Sequence, residues 1–262
     1  MPHAAKDRAV TLAVIGGSGL YRLDEASTVE RISVATPFAV DPVELALERT
    51  PSGAVWFLPR HGREHSVAPH LINYRANLRA LHEVGVDTVI AVNAVGGIAE
   101  RMQAGTMVLP HQLIDYSWGR EHTYFTGPHA LDKHVDFTWP YDRELGTVLQ
   151  QSAHMLDVPL QAGAVYACTQ GPRLETAAEI RKLQQDGCDI VGMTGMPEAG
   201  LARELGMRYA CIALVVNRAA GVGADAITHD EIMRHLGEGV GKVRTLLLAA
   251  LPQLLRLAGR SH

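Results

Sequence analysis

The chain has 262 residues, 47% hydrophobic and 20% charged, with 24 Lys and Arg against 28 Asp and Glu for a formal net charge of −4. That balance excludes a disordered or fibrous chain and argues against a nucleic-acid binder, which carries a concentrated basic surface. Its three cysteines, Cys168, Cys188 and Cys211, are odd in number and form no CxxC pair, so neither a disulfide framework nor a thiolate zinc site is expected. The apolar run at 10–15 is too short for a signal-peptide core, and Pro252, Gln253 and Arg256 interrupt the C-terminal apolar stretch, so a soluble, cytoplasmic protein is expected. With no internal repeat, low-complexity tract or linker, the sequence is read as a single domain over residues 1–262, its core at about 10–250.

Taken in order, the first predicted element is a strand, VTLAVIGG at 10–17, followed by AVWFLPRHG at 54–62 and DTVIAVNAVGG at 87–97. Between the last two, LINYRANLRALHEVG places Tyr74, Leu78 and Leu81 on one helical face and ends at Gly85. Residues 111–145 are rich in His, Tyr, Trp and Asp without a clean period, and read as a loop-heavy functional or interfacial region. Two helices, 175–187 and 197–206, carry acids in the first turn, end in Gly, and lead into strands at 188–193 and 207–217. An amphipathic helix from about His229 to Leu251 closes the chain. Continuous Val/Ile/Ala runs suit strands buried on both faces, so the pattern predicts an α/β fold around a central, largely parallel sheet.

Ligands of such sheets gather at the carboxyl ends of strands, and each predicted strand ends in polar or glycine residues. Gly16-Gly17-Ser18-Gly19 offers amides and a hydroxyl to a phosphate, or is simply a tight turn; it fits neither a P-loop, a dinucleotide fingerprint nor a hydrolase elbow. Arg60-His61-Gly62-Arg63-Glu64-His65 spells the H-x-x-E-H of one metallopeptidase class. Zinc ligation by that motif needs a continuous helix, whereas Pro59, Gly62 and Pro69 predict a turn, in which Arg60 and His61 suit an oxyanion. Asn93-Ala94-Val95-Gly96-Gly97 lets a flat ligand approach closely or marks close packing. Glu175 is a base reader or an acid at a helix start, and Asn217 a ligand or a turn residue.

In combination, IGGSGL, RHG, NAVGG, GPRLETAAE, GMTGMPEA and a strand ending in VVN resemble the trimeric purine nucleoside phosphorylase and methylthioadenosine phosphorylase family, over about residues 10–250. NAVGGI, HQLIDY, GREHTYF and YACTQGPRLET are closest to its bacterial branch that cleaves S-methyl-5'-thioinosine. The resemblance implies a nucleoside phosphorylase-like α/β domain with a central mixed, partly barrel-like sheet flanked by helices, a homotrimer, and phosphorolysis to a free base and a pentose 1-phosphate in purine salvage. No metal or organic cofactor is implied; inorganic phosphate is a co-substrate. It places Ser18, Arg60, His61, Asn93, Ala94 and Thr194 at the phosphate, and Met193 under the ribose. Gly96, Leu174, Glu175 and Asn217 would surround the base and Ala219 would also bind substrate, with Asn217 and His61 catalytic. Leu174 departs from the pattern, since relatives commonly have a stacking Phe there.

An ionised Glu175 accepts from the N1–H of hypoxanthine or guanine but opposes the lone pair of adenine, and family members that take adenosine-type substrates tend to have Asp at the position of Asn217. A 6-oxopurine is therefore expected. At the 5' end, His229 falls where nucleoside-type relatives bind a hydroxyl, and His134 resembles a residue reaching into the neighbouring subunit's site. The expected reaction is phosphorolysis of S-methyl-5'-thioinosine; alternatives are an inosine/guanosine or methylthioadenosine phosphorylase, a zinc peptidase on His61 and His65, and a silent nucleoside-binding scaffold.

Overall fold

A computed structural model describes residues 10–24, 27–128, 130, 133–223 and 228–259. Among the described residues nine strands form one mixed sheet: β1 (Leu12–Gly16), β2 (Thr28–Val34), β3 (Val43–Thr50), β4 (Gly53–Pro59), β5 (Thr88–Gly97), β6 (Met107–Asp115), β7 (Leu160–Cys168), β8 (Ile190–Gly192) and β9 (Arg208–Arg218). Their order is β2-β3-β4-β1-β5-β8-β7-β6-β9, and a further pairing of β5 with β9 closes the last five strands into a barrel. The helices are α1 (Tyr74–Glu83), α2 (Arg143–Met155), α3 (Ala177–Gln185), α4 (Glu198–Glu204) and α5 (His229–Leu257). No helix of the described residues is long and apolar enough to cross a membrane.

The period-2 alternation of buried strands sorts the core into two layers. On β1, Ala13 and Ile15 join Leu78, Leu81 and Leu201 of α1 and α4. Leu12 and Val14 join Leu149, Val243 and Leu247 of α2 and α5 on the other face. Gly85, Gly187 and Gly206, just past the ends of three helices, all hold positive φ, the left-handed conformation that glycine adopts without Cβ strain.

Several expectations need correcting. The sheet is mixed and partly barrel-like, as the family resemblance implies, and not largely parallel as the strand pattern alone predicts: β4, β1, β5 and β9 run parallel, but β2 and β3 add an antiparallel edge, and β8 meets β5 antiparallel at Gly96↔Val191. Strands β2 and β3 alternate charged with apolar residues, as half-solvated strands do, and so lack the continuous apolar run that marks the central ones. The region 111–145 also contains regular structure, since β6 extends to Asp115 and α2 begins at Arg143. Helix α3 begins at Ala177, not Glu175, because Thr176 caps it in a reciprocal capping box with Glu179. Helix α5 runs past Pro252 to Leu257; Leu251 and Leu254 remain buried, and that packing offsets a proline cost of about 3 kcal/mol.

Candidate active site

Parallel pairing sets the ends of β1 and β4 side by side at Gly16↔Pro59, and those of β5 and β9 at Gly96↔Asn217. A register shift beside Gly96 leaves Val216 as an extra residue in β9, a bulge of the kind that re-aims side chains. One cavity opens at these strand ends. Its walls include Gly17 and Ser18 after β1, Arg60 and His61 after β4, Ala94 and Gly96 of β5, and Met193 and Thr194 after β8. Leu174 and Glu175, Asn217 and Ala219, and Ile232 of α5 also line it.

The turn after β1 lies hard against its neighbours. A methyl group on Gly17 would come within 2.4 Å of the Val92 carbonyl oxygen and 3.1 Å of Arg60 Nη1, so only glycine fits between β5 and the guanidinium. Arg60 itself is 2% exposed. Its Nε donates to Glu198 Oε2 at 2.6 Å and its Nη2 to Glu198 Oε1 at 2.7 Å, while Nη1 donates to the Val92 carbonyl at 2.7 Å. The fork expected to clasp an oxyanion is thus committed to a buried carboxylate, although Arg60 remains among the residues lining the cavity. Burial alone would lower the Arg60 pKa, but the charge and hydrogen bonds of Glu198 raise it well above the ordinary arginine value, keeping it cationic.

A polar chain continues from that pair. Arg60 Nη2 reaches Asn93 Oδ1 at 3.4 Å, and Asn93 Nδ2 donates to Thr194 Oγ1 at 2.7 Å. Because the Thr194 oxygen accepts there, its hydroxyl proton is available to a ligand. Asn93, expected at the phosphate, is 1% exposed and stands behind Thr194 rather than in the cavity wall. His61 pairs its Nδ1 with the Val67 carbonyl at 2.9 Å, and since a carbonyl only accepts, Nδ1 carries the proton. Burial, then the Arg60 charge and His65, lower the His61 pKa to about 4, so the ring is neutral at physiological pH. Residues 60–65 form a turn, as expected, and among the described residues no group of three or more His, Cys, Asp or Glu side chains is placed to hold a metal ion.

At the opposite end, Thr169 Oγ1 donates to Glu175 Oε1 at 2.6 Å, leaving Oε2 for a ligand. Asn217 Nδ2 donates to the Arg218 carbonyl at 2.7 Å, which fixes which end of the amide carries the donors and leaves a second N–H. Leu174 is 45% exposed. His229 and His134 are both exposed and lie outside the cavity wall. Sequence reasoning left out Glu198, Thr169, Ile232 and Arg120. Glu198 lay inside GMTGMPEA, Thr169 inside YACTQGPRLET and Arg120 inside GREHTYF, but the first read as an ordinary helix-start acid and nothing local gave a role to the other two, or to Ile232 three residues after His229.

The phosphorylase superfamily model matches residues 11–252. The chain is 46% identical over 239 residues to a probable S-methyl-5'-thioinosine phosphorylase of Pseudomonas syringae pv. tomato, covering 91% of this chain and 97% of that one. It is 42% identical over 246 residues to a 6-oxopurine nucleoside phosphorylase of Pyrococcus furiosus, covering 92% of each. Among solved structures, methylthioadenosine phosphorylase of Schistosoma mansoni in complex with adenine superposes with a TM-score of 0.85 at 28% identity, covering 95% of this chain and 96% of that one. A methylthioadenosine phosphorylase from an antarctic soil metagenomic library gives 0.86 at 32% identity, over 95% and 87%.

Proposed function

The chain belongs to the phosphorylase superfamily, and from that membership we propose that it phosphorolyses 6-oxopurine nucleosides, with S-methyl-5'-thioinosine as the preferred substrate. The products are hypoxanthine and 5-methylthioribose 1-phosphate, which makes the protein a pentosyltransferase of the nucleoside phosphorylase type. The reading rests on the convergence, in one cavity, of Ser18, Arg60, His61 and Thr194 with Glu175 and Asn217. Phosphate held by the first group attacks C1' as the bond to N9 breaks, and the purine leaves with the bonding electron pair. Positive charge on the sugar is stabilised by the phosphate, and negative charge on the base by the second N–H of Asn217. Glu175 Oε2 accepts from N1–H of a 6-oxopurine and repels the N1 lone pair of adenine.

For the 5' group, the apolar Ile232 stands in the cavity wall, where His229, one turn earlier on α5, does not. That favours a methylthio substituent over a hydroxyl. The same reading has the enzyme work in the cytoplasm as a homotrimer without metal or organic cofactor, with His134 near the neighbouring subunit's site. The test compares kcat/KM for methylthioinosine, inosine, guanosine and methylthioadenosine with and without phosphate. Phosphate-dependent release of hypoxanthine, fastest from methylthioinosine, is expected; a preference for methylthioadenosine overturns the base assignment, and a preference for inosine the assignment of the 5' group.

A further inference from the structure

Between Asp115 and Arg143 the described residues hold neither α-helix nor strand, yet one side chain of this segment reaches behind both halves of the cavity. Arg120 Nη1 donates to the carbonyls of Met193, at 2.8 Å, and Met196, while Nη2 donates to those of Gln170, at 2.8 Å, and Thr169, at 3.2 Å. Its Nε donates to Gln170 Oε1 at 3.0 Å. All five N–H groups are therefore used, four of them on backbone carbonyls drawn from two loops far apart in sequence. The guanidinium also lies 5.6 Å from the centre of the Tyr74 ring. Each loop bears one end of the site. Met193 is itself a wall residue next to Thr194, and the hydroxyl of Thr169 holds Glu175.

We infer that Arg120 is a positioning residue that fixes the base-reading carboxylate of Glu175 relative to the Met193–Thr194 wall of the cavity, acting through the carbonyls of the 169–170 and 193–196 loops. The inference rests on the functional reading above. A planar fork of fixed geometry is what this task requires, because carbonyls fanned around one plane cannot all be met by an ammonium. Beyond the strand pairing that ends at Cys168↔Gly192, the two loops also meet where Thr169 N–H donates to the Gly192 carbonyl at 2.8 Å and where Met196 N–H donates to Cys168 Sγ at 3.2 Å, neither of which reaches Gln170 or Met193.

The test uses the full chain with Arg120→Ala and Arg120→Lys, assayed by phosphate-dependent hypoxanthine release well below the melting temperature of each variant. In Arg120→Ala, kcat/KM should fall about 10²-fold, the loss typical of an ångström-scale misplacement. Millimolar guanidinium should restore it saturably, and methylammonium at equal ionic strength should not. In Arg120→Lys the preference for methylthioinosine over methylthioadenosine should narrow, because the Glu175 loop is no longer held. A purely structural arginine gives the opposite pattern: guanidinium raises the melting temperature without raising kcat/KM, and base preference stays fixed. That result, unchanged kcat/KM in a folded Arg120→Ala, or failure of both variants to fold overturns the proposal. Wild-type enzyme separates the two readings. Without phosphate-dependent base release from the wild type the functional reading falls and this one with it, whereas an active wild type beside an unaffected Arg120→Ala overturns this one alone.

Discussion

At the Arg60 end of the cavity the polar side chains are buried and linked in one chain, from Glu198 through Arg60 and Asn93 to Thr194, with Tyr209 donating to Glu198 at 2.8 Å. At the Glu175 end the corresponding groups are partly exposed, and Glu175 and Asn217 each have one tether. The contrast is the one that the proposed roles of the two ends call for. Stabilising charge that develops in the transition state requires dipoles that do not reorganise, which favours burial and mutual constraint. Choosing between two purines requires only the right donor and acceptor at a few atoms of the base edge. Stability and anion chemistry should therefore fail together at one end, while selectivity at the other should change without unfolding the protein.

Removing the carboxylate that neutralises the buried guanidinium is the most severe way to strain this contrast. Glu198→Ala leaves Arg60 inside with no counter-ion and should cost about 3–5 kcal/mol of stability in denaturant unfolding at neutral pH. A cost near that of an exposed ion pair would show that the Arg60 end is not the rigid half. His61 gives the next effect. With a native pKa of about 4 against about 6.5 unfolded, it takes up protons in the unfolded state first as pH falls. Its contribution is complete above about 6.5 and is lost toward about 4, a swing of order 3 kcal/mol for the whole shift. The stability of the wild type should thus rise more steeply with pH across that window than that of His61→Asn; parallel curves would mean the ring is not held neutral.

At the other end, Glu175→Gln keeps an oxygen for the Thr169 hydroxyl and turns the second oxygen into an N–H donor suited to the N1 lone pair of adenine. Relieving one mismatch of about 1–3 kcal/mol should shift the ratio of kcat/KM for methylthioinosine over methylthioadenosine by about 10- to 100-fold, with the melting temperature unchanged. Unfolding of this variant would erase the distinction between the two ends.

The two ends also differed in how far the sequence disclosed them. Strands β1, β4, β5, β8 and β9 were legible because burial on both faces leaves an unbroken Val/Ile/Ala run, and their termini carried most of the site. Strand β6 was not, since Pro110 interrupts it at a register shift, nor was β7, where Gly163 breaks the run at positive φ. Within the site, residue types were readable but partners were not. Nothing local distinguishes a helix-start glutamate facing water from Glu198, 0% exposed and paired with a residue 138 positions away. Arg120 was invisible for the same reason, because its partners are backbone carbonyls, which any sequence supplies.

The smallest effect should come from Leu174, and it tests how the base is held rather than which base. Leu174 is 45% exposed on the loop ahead of α3, so a larger side chain has solvent on one side and need not displace the core. Leu174→Phe sets an aromatic face where an aliphatic one stood, and a stacked pair is worth about 0.5–1.5 kcal/mol beyond area burial. The KM for nucleoside should therefore fall, by up to about tenfold, with the phosphate KM and melting temperature unmoved. Base preference should also hold, because hypoxanthine and adenine offer nearly the same π-face. A change in preference would instead place residue 174 against the six-position edge of the purine, making it a second reader beside Glu175 rather than a platform.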